Sequence, residues 1–329
     1  LPAPQEDGRR SFAAPARIKY MFLNLFSESM KKIFCFLCLL FAMQSLHAQS
    51  AGLTGLSYLK IGVGARNIAL GDNGTTFATD ATALFYNPAQ ISANTSSEIF
   101  VMHNSWIQGV SAEALAVKFN FLGLPLAVGL NSTNVNDIEI RTIPGEAQGT
   151  FNAHYFSLGA GTGFAVTDQL SAGFGVKFLY ENLFSDESKG FGLDFGFTYA
   201  KIIDNLTGVA TIRNIGSTSE LRYEKTKLPT EVRLGGIYDL PEFQKFITSR
   251  VSAEYQKYTA ESDAHLNIGF EAVYNTTFAL RLGYMTNYES KGFTAGLGFK
   301  WNIIDVDYAF APFKYDLGSS HIVSVKAAL

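Results

Sequence analysis

Few residues in this chain have the types and spacing for chemistry. In Asn87-Pro88-Ala89 the Pro88 ring fixes the backbone beside a side-chain amide, so Asn87 can hydrogen-bond across a neighbouring element and open or close a route past it. The same three residues equally make a plain turn. Gly159, Gly161 and Gly163 have the glycine density of a phosphate-binding loop, but no helix follows and the stretch runs on as a strand. Glycines there are read instead as letting another segment approach the wall closely. Gly62 and Gly64 with Arg66 also lack the rest of a cofactor fingerprint, and Arg66 joins Asn87, Pro88 and Ala89 as a candidate gate residue. The histidines His103, His154, His265 and His321 have no ligand spacing, and there is no nucleophile elbow or zinc motif. Asp305 and Asp307 are two apart and read as solvated interior carboxylates. No catalytic residue, cofactor or metal is expected, and the chain is not read as an enzyme.

The elements that carry these residues announce themselves by alternation. The stretch GFGLDFGFTYA puts Phe191, Leu193, Phe195, Phe197 and Tyr199 on every second residue, with Gly192, Asp194, Gly196 and Thr198 between them. Period two is the signature of a strand with two unlike faces. The same texture recurs at Leu115 to Phe121, Leu170 to Tyr180, Leu266 to Phe270, Phe278 to Tyr284, Phe293 to Phe299 and Ile304 to Phe310. The charged residues Lys118, Lys177, Asp194, Glu271, Arg281, Lys300, Asp305 and Asp307 all fall on the polar phase. A lysine or arginine facing lipid at mid-membrane costs about 2–4 kcal/mol, so this phasing predicts a transmembrane barrel with its charges inside. A large soluble lectin-like sandwich is the competing reading.

From Ser96 onward there are fourteen such segments, most near the ~10 residues a tilted strand needs to cross a bilayer. Tight connections around Leu122-Gly123, Thr167-Asp168, Asp204-Asn205 and Asn275-Thr276 alternate with longer, polar ones at 132–150, 182–190, 214–228 and 312–319. That is the pattern of short periplasmic turns and external loops. The connection at 240–248 is longer than its parity predicts. The expected fold is therefore all-β, a transmembrane outer-membrane β-barrel of about 14 antiparallel strands over residues 96–329.

The chain has 329 residues, with 28 Phe and 15 Tyr, and its net charge of -3 offers no field for a polyanion, so nucleic acid is excluded as a partner. Met30-Lys31-Lys32, the apolar run Ile33 to Met43 and the exit Leu46-His47-Ala48 make residues 30–48 a signal peptide. The apolar run is about half of the roughly 20 residues a spanning helix needs. Residues 1–29 show no apolar period and are read as a non-native upstream extension. Both cysteines, Cys35 and Cys38, lie in the signal, so residues from Gln49 onward carry no thiol. Residues 49–95 are rich in Gly, Ala and Asn, fit no run of strands, and are expected to form an N-terminal hatch or plug, with Asp80 capping a short helix.

The segment GVGARNIALGDNGTTFATDATALFYNPAQIS resembles the N-terminal signature of the PorV/PorQ family within the wider FadL-like group, and Asn87-Pro88-Ala89 matches the NPA element of the FadL-type hatch. Asn214-Ile215-Gly216, Leu228-Pro229-Thr230, Arg233-Leu234-Gly235-Gly236 and Asp307 to Pro312 are similar to further family motifs, so the resemblance spans essentially all of the chain after the signal. It implies a FadL-like fourteen-stranded barrel with an N-terminal hatch, in the bacterial outer membrane and in contact with its lipid. It also implies a role in type IX protein secretion and surface attachment, with cargo C-terminal signal domains and the attachment machinery as partners. The alternative within the group is a channel for uptake of hydrophobic small molecules.

Overall fold

The computed structural model describes residues 52–241 and 245–329. The expected upstream extension, the signal peptide with its two cysteines, and Gln49 lie outside the described residues. From Glu98 the chain is almost entirely strand. It runs β1 (Glu98–Ser105), β2 (Val110–Phe121), β3 (Leu124–Ile140), β4 (Gly149–Ala165), β5 (Leu170–Leu183), β6 (Asp186–Ile203) and β7 (Leu206–Thr218). A small hairpin, β8 (Glu220–Leu221) with β9 (Glu224–Lys225), interrupts the series. It then continues through β10 (Glu231–Asp239), β11 (Ile247–Tyr258), β12 (Ala264–Tyr274), β13 (Phe278–Met285), β14 (Phe293–Trp301), β15 (Ile304–Pro312) and β16 (Ser319–Ala328).

Fourteen of these strands form one closed antiparallel barrel in chain order, the β8–β9 hairpin standing outside the ring. Pairing of β1 with β16 seals it, Glu98 lying opposite Ala328 and Ser105 opposite His321. Among the described residues, closure leaves no edge of the ring unpaired, which a hydrocarbon environment requires. A two-sheet sandwich is thereby ruled out.

The alternation read from the sequence decides which side chains face out. Phe191, Phe195, Phe197 and Tyr199 on β6, and Phe278, Leu280, Leu282 and Tyr284 on β13, are all exposed on the outer surface, while Asp194 and Arg281 between them are buried. An apolar outer band over a charged interior is the surface of a bacterial outer-membrane protein.

The tight connections gather at one end of the barrel. Leu122 and Gly123 both take the left-handed conformation, φ 52° and 84°, which suits a two-residue hairpin. By the usual asymmetry of such barrels this turn end faces the periplasm. The opposite end differs from expectation. Residues 132–150 are mostly strand, because β3 runs to Ile140 and β4 starts at Gly149, and 182–190 contains only a two-residue break between β5 and β6. Strands β3, β4, β5 and β6 have 17, 17, 14 and 18 residues, well beyond the ~9–11 that cross a bilayer. Their loop-end parts rise above the membrane, where both faces can be polar and alternation fades while the hydrogen-bonded ladder continues.

Candidate functional site

Residues 52–97 form no strand and pack against the inward side chains of the barrel. Five short helical turns succeed one another: Ser57–Lys60, Ala65–Ala69, Gly74–Phe77, Ala81–Phe85 and Pro88–Ala93. Two are capped from the sequence. Asp80 Oδ1 accepts from the Thr82 amide at 3.0 Å, and Asn87 Oδ1 accepts from the Ala89 amide at 3.1 Å with Pro88 in the first turn. The segment enters at the loop end, where the Gly55 amide donates to the Lys227 carbonyl at 3.1 Å and Lys60 pairs with Glu261. It leaves at the turn end, where Lys118 bonds to Asn94, and Asn120 Nδ2 donates to the Thr95 carbonyl at 2.6 Å.

Two glycine stations let this inner segment touch the wall backbone to backbone. On one side Gly163, Gly173 and Gly196, from β4, β5 and β6, receive Asn87-Pro88-Ala89. A Cβ at Gly173 would lie 2.3 Å from the Pro88 carbonyl carbon, and one at Gly196 would lie 2.0 Å from Asn87 Oδ1. Across the lumen Gly269, Gly283 and Gly296, from β12, β13 and β14, receive Ala69-Leu70-Gly71. A Cβ at Gly283 would fall 2.0 Å from the Gly71 nitrogen. Close approach is thus what the glycines of the Gly159-to-Gly163 run provide, Gly161 facing Leu84 and Gly163 facing Pro88 and Ala89. Asn87 also reaches the wall, its Nδ2 donating to Thr198 Oγ1 at 3.2 Å.

Ion pairs hold the rest. Arg66 Nε and Nη2 both donate to Glu271, each at 2.9 Å, and Glu271 also accepts from Arg281 Nε at 2.8 Å. Arg281 Nη1 continues to Asp307 at 2.6 Å. Burial works against charge on Arg66, but the Glu271 carboxylate beside it more than offsets this and raises its pKa. Near the turn end Lys326 bridges Asp305 at 2.9 Å and Asp80 at 3.4 Å, and Lys118 lies 3.4 Å from Glu98. Burial opposes the Asp80 charge as well; Lys326 and the Thr82 donors outweigh it and hold the carboxyl below its usual range. Lys177 pairs with Asp194 at 2.6 Å and donates to Asn214 at 2.8 Å. Lys300 shares the inward phase but stands at the turn-end rim, 55% exposed.

The densest cluster escaped the sequence reading. Arg233, 2% exposed, contacts Asp72 at 2.8 Å, Glu231 at 3.2 Å and Glu254 at 3.5 Å. Arg213 also pairs with Glu231. Tyr86 ties the inner segment in, donating to Asp72 at 2.7 Å and accepting from the Val63 amide at 2.8 Å. Burial, with the Asp72 carboxylate adding to it, pushes the Tyr86 phenol well up. Glu231 and Arg233 are two apart on β10, which was the available signal. Of the histidines, His265 is buried facing inward, whereas His103, His154 and His321 are exposed and bond to Glu113, Asn134 and Tyr308 respectively.

Between the inner segment and β3–β7 lies a cavity of about 40 Å³ lined by Ile61, Tyr86, Asn131, Ser157, Lys177 and Arg213 among others. Asn131 Oδ1 and Arg213 Nε, both of residues that line it, have no hydrogen-bond partner among the described residues. At ~10–15 Å³ per water this space suits roughly three or four waters, and it is far below the ~150 Å³ of a cavity that takes up benzene. A larger groove of about 530 Å³ lies on the outer face among Tyr274, Phe278, Leu297, Phe299 and Tyr308, where lipid chains would fill it.

No family model and no curated protein matches this chain. Solved structures do. The chain is similar to the CymD monoaromatic hydrocarbon channel at 12% identity and a TM-score of 0.59, the match covering 84% of this chain and 99% of that one. It is similar to the Pseudomonas putida toluene transporter TodX at 14% identity and a TM-score of 0.58, covering 81% and 98%. At such identities the likeness is one of fold, and it agrees with the FadL-like barrel expected from the sequence. The narrower PorV/PorQ assignment is carried by none of these comparisons.

Proposed function

We propose that this protein is an outer-membrane channel for hydrophobic small molecules, closed by its own residues 52–95, with no catalytic step of its own. One observation carries the reading. The lumen is filled by a segment attached through close backbone contacts, hydrogen bonds and ion pairs at Asn87, Pro88, Ala89 and Arg66, and such attachments can be exchanged. Two solved structures similar to it in fold are, by their own descriptions, a monoaromatic hydrocarbon channel and a toluene transporter. The small polar cavity belongs to the closed state, so passage requires the inner segment to shift. Asn87 is the natural hinge contact, because it bonds both to its own segment and to β6.

The test is toluene flux into liposomes holding the folded full chain. Wild-type protein should exceed protein-free vesicles, and Asn87→Ala should raise flux several-fold by loosening the Pro88 station. Flux no greater than that of protein-free vesicles, in both proteins, would remove the channel reading.

A role in secretion is the second reading. What favours it is the polar rim formed by the long β3–β6 strands and the 219–230 connection, a surface above the bilayer for cargo signal domains and attachment machinery. Co-purification of such cargo from secreting cells would support it over the channel.

A further inference from the structure

At the loop end the inner segment places one side chain as though it were a bound ligand. Tyr58 is 4% exposed. Its ring stacks on Tyr155 with centroids 5.6 Å apart and planes 26° from parallel, and its hydroxyl donates to the Phe156 carbonyl at 3.0 Å. Leu179 from β5 and Leu228 from the 219–230 connection complete an apolar collar around it. Apart from neighbours in its own segment, what holds the ring belongs to β4, β5 and the 219–230 connection. Withdrawal of the segment would therefore leave a ring-sized space with its contacts intact.

Two observations mark this space as more than packing. Glu181, on the inward face of β5 opposite Tyr155, is 7% exposed, and its Oε2 has no partner among the described residues. A buried carboxylate oxygen without a donor is costly and calls for one. Ser157, two residues beyond Tyr155, also lines the water-sized cavity, so the Tyr58 space stands at the outer head of the interior path. Burial pushes the Tyr58 phenol up, a Ser157 hydrogen bond partly offsets that, and the Glu181 carboxylate adds to the rise. The phenol therefore stays protonated and able to donate.

We propose that this space is an outer recognition site for a phenolic solute, a single aromatic ring bearing a hydroxyl, and that Tyr58 is its resident competitor. The inference rests on the channel reading for the direction from which the solute arrives. The chemistry sets the class. The Tyr155 face accepts any ring by stacking, but a single hydroxyl can donate either to the Phe156 carbonyl, as Tyr58 does, or to the Glu181 oxygen, and a bare hydrocarbon has no donor for either. The tethered side chain competes at an effective concentration on the order of millimolar, so the site is masked until the segment moves.

The probe is p-cresol, the tyrosine side chain without its backbone, titrated by calorimetry into the folded full chain in detergent. Tyr58→Ala should bind p-cresol at least tenfold more tightly than wild type, and toluene at least tenfold more weakly than p-cresol. Adding Tyr155→Ala should abolish the gain. Equal p-cresol affinity in wild type and Tyr58→Ala, or equal affinity of that variant for toluene and p-cresol, overturns the proposal. Should Tyr58→Ala fail to keep folded-barrel gel mobility, Tyr58→Phe carries the test, since it keeps the ring and weakens the competitor; it should bind p-cresol more tightly than wild type, and no gain there overturns the proposal equally. Toluene flux separates the two ideas: p-cresol binding without flux leaves the site and removes the channel, and flux without p-cresol binding does the reverse.

Discussion

Arg233 shows how much of the interior depends on single charged groups. It is 2% exposed and holds three carboxylates, those of Asp72, Glu231 and Glu254. Removing one partner from a buried ionic cluster costs more than the cluster is worth as a whole, because the remaining charges are left unpaired in a poorly solvating interior. Arg233→Ala should therefore lower stability by about 3–5 kcal/mol, read as a shift of the urea unfolding midpoint in lipid. Arg222→Ala, at a side chain 73% exposed and 4.0 Å from Asp186, should leave that midpoint unchanged. Similar midpoints for the two variants would mean that the Arg233 cluster is solvated and contributes little. At this scale the sequence was informative about direction and silent about partners. The polar phase assigned Lys118, Lys177, Asp194, Glu271, Arg281, Lys300, Asp305 and Asp307 to the interior; Lys118, Asp194, Glu271 and Arg281 are buried, Lys177, Asp305 and Asp307 half-buried, and Lys300 exposed, each in an ion pair. Arg233 and Asp72 are 161 positions apart, and no local pattern pairs them.

Strands were legible wherever lipid selects one face, and illegible where it does not. Above the bilayer Asn134, Asn152 and Asn182 sit in β3, β4 and β5, and polar residues on both faces there resemble a loop although the ladder continues. The glycines of β4 carried a usable signal, since their density in a strand pointed to close approach. Their counterparts across the lumen, Gly269, Gly283 and Gly296, lie on three separate strands and form a station only once the barrel closes. Both stations predict the same behaviour. Gly283→Val and Gly173→Val suit a strand, so the wall should still form, but each new Cβ would overlap the inner segment's backbone. Limited proteolysis of the folded variants should then cut within 52–95, where wild type resists. Gly175→Ala, whose Cβ meets nothing closer than 3.6 Å, should resist like wild type. Valine variants as resistant as wild type would show that the segment is not seated on those glycines.

For the whole molecule, hydrocarbon is the solvent of the outer surface. The large exposed side chains include Phe195, Phe197, Leu280, Leu282, Leu297 and Phe299, a band that water would not tolerate on a monomer. Closure of fourteen strands then pairs every edge of the ring, and residues 52–97 pack against its inward face. Residues from Gln49 onward contain no cysteine, so single labels can be introduced without background. Nitroxides placed by cysteine substitution at Phe195, Phe197, Leu280 and Leu282, in the protein reconstituted into bilayers, report directly what surrounds each site. Collision rates at all four should be high with lipid-soluble oxygen and low with a water-soluble nickel chelate. Rates dominated by the nickel chelate at these positions, in a correctly folded barrel, would contradict a hydrocarbon-solvated outer surface.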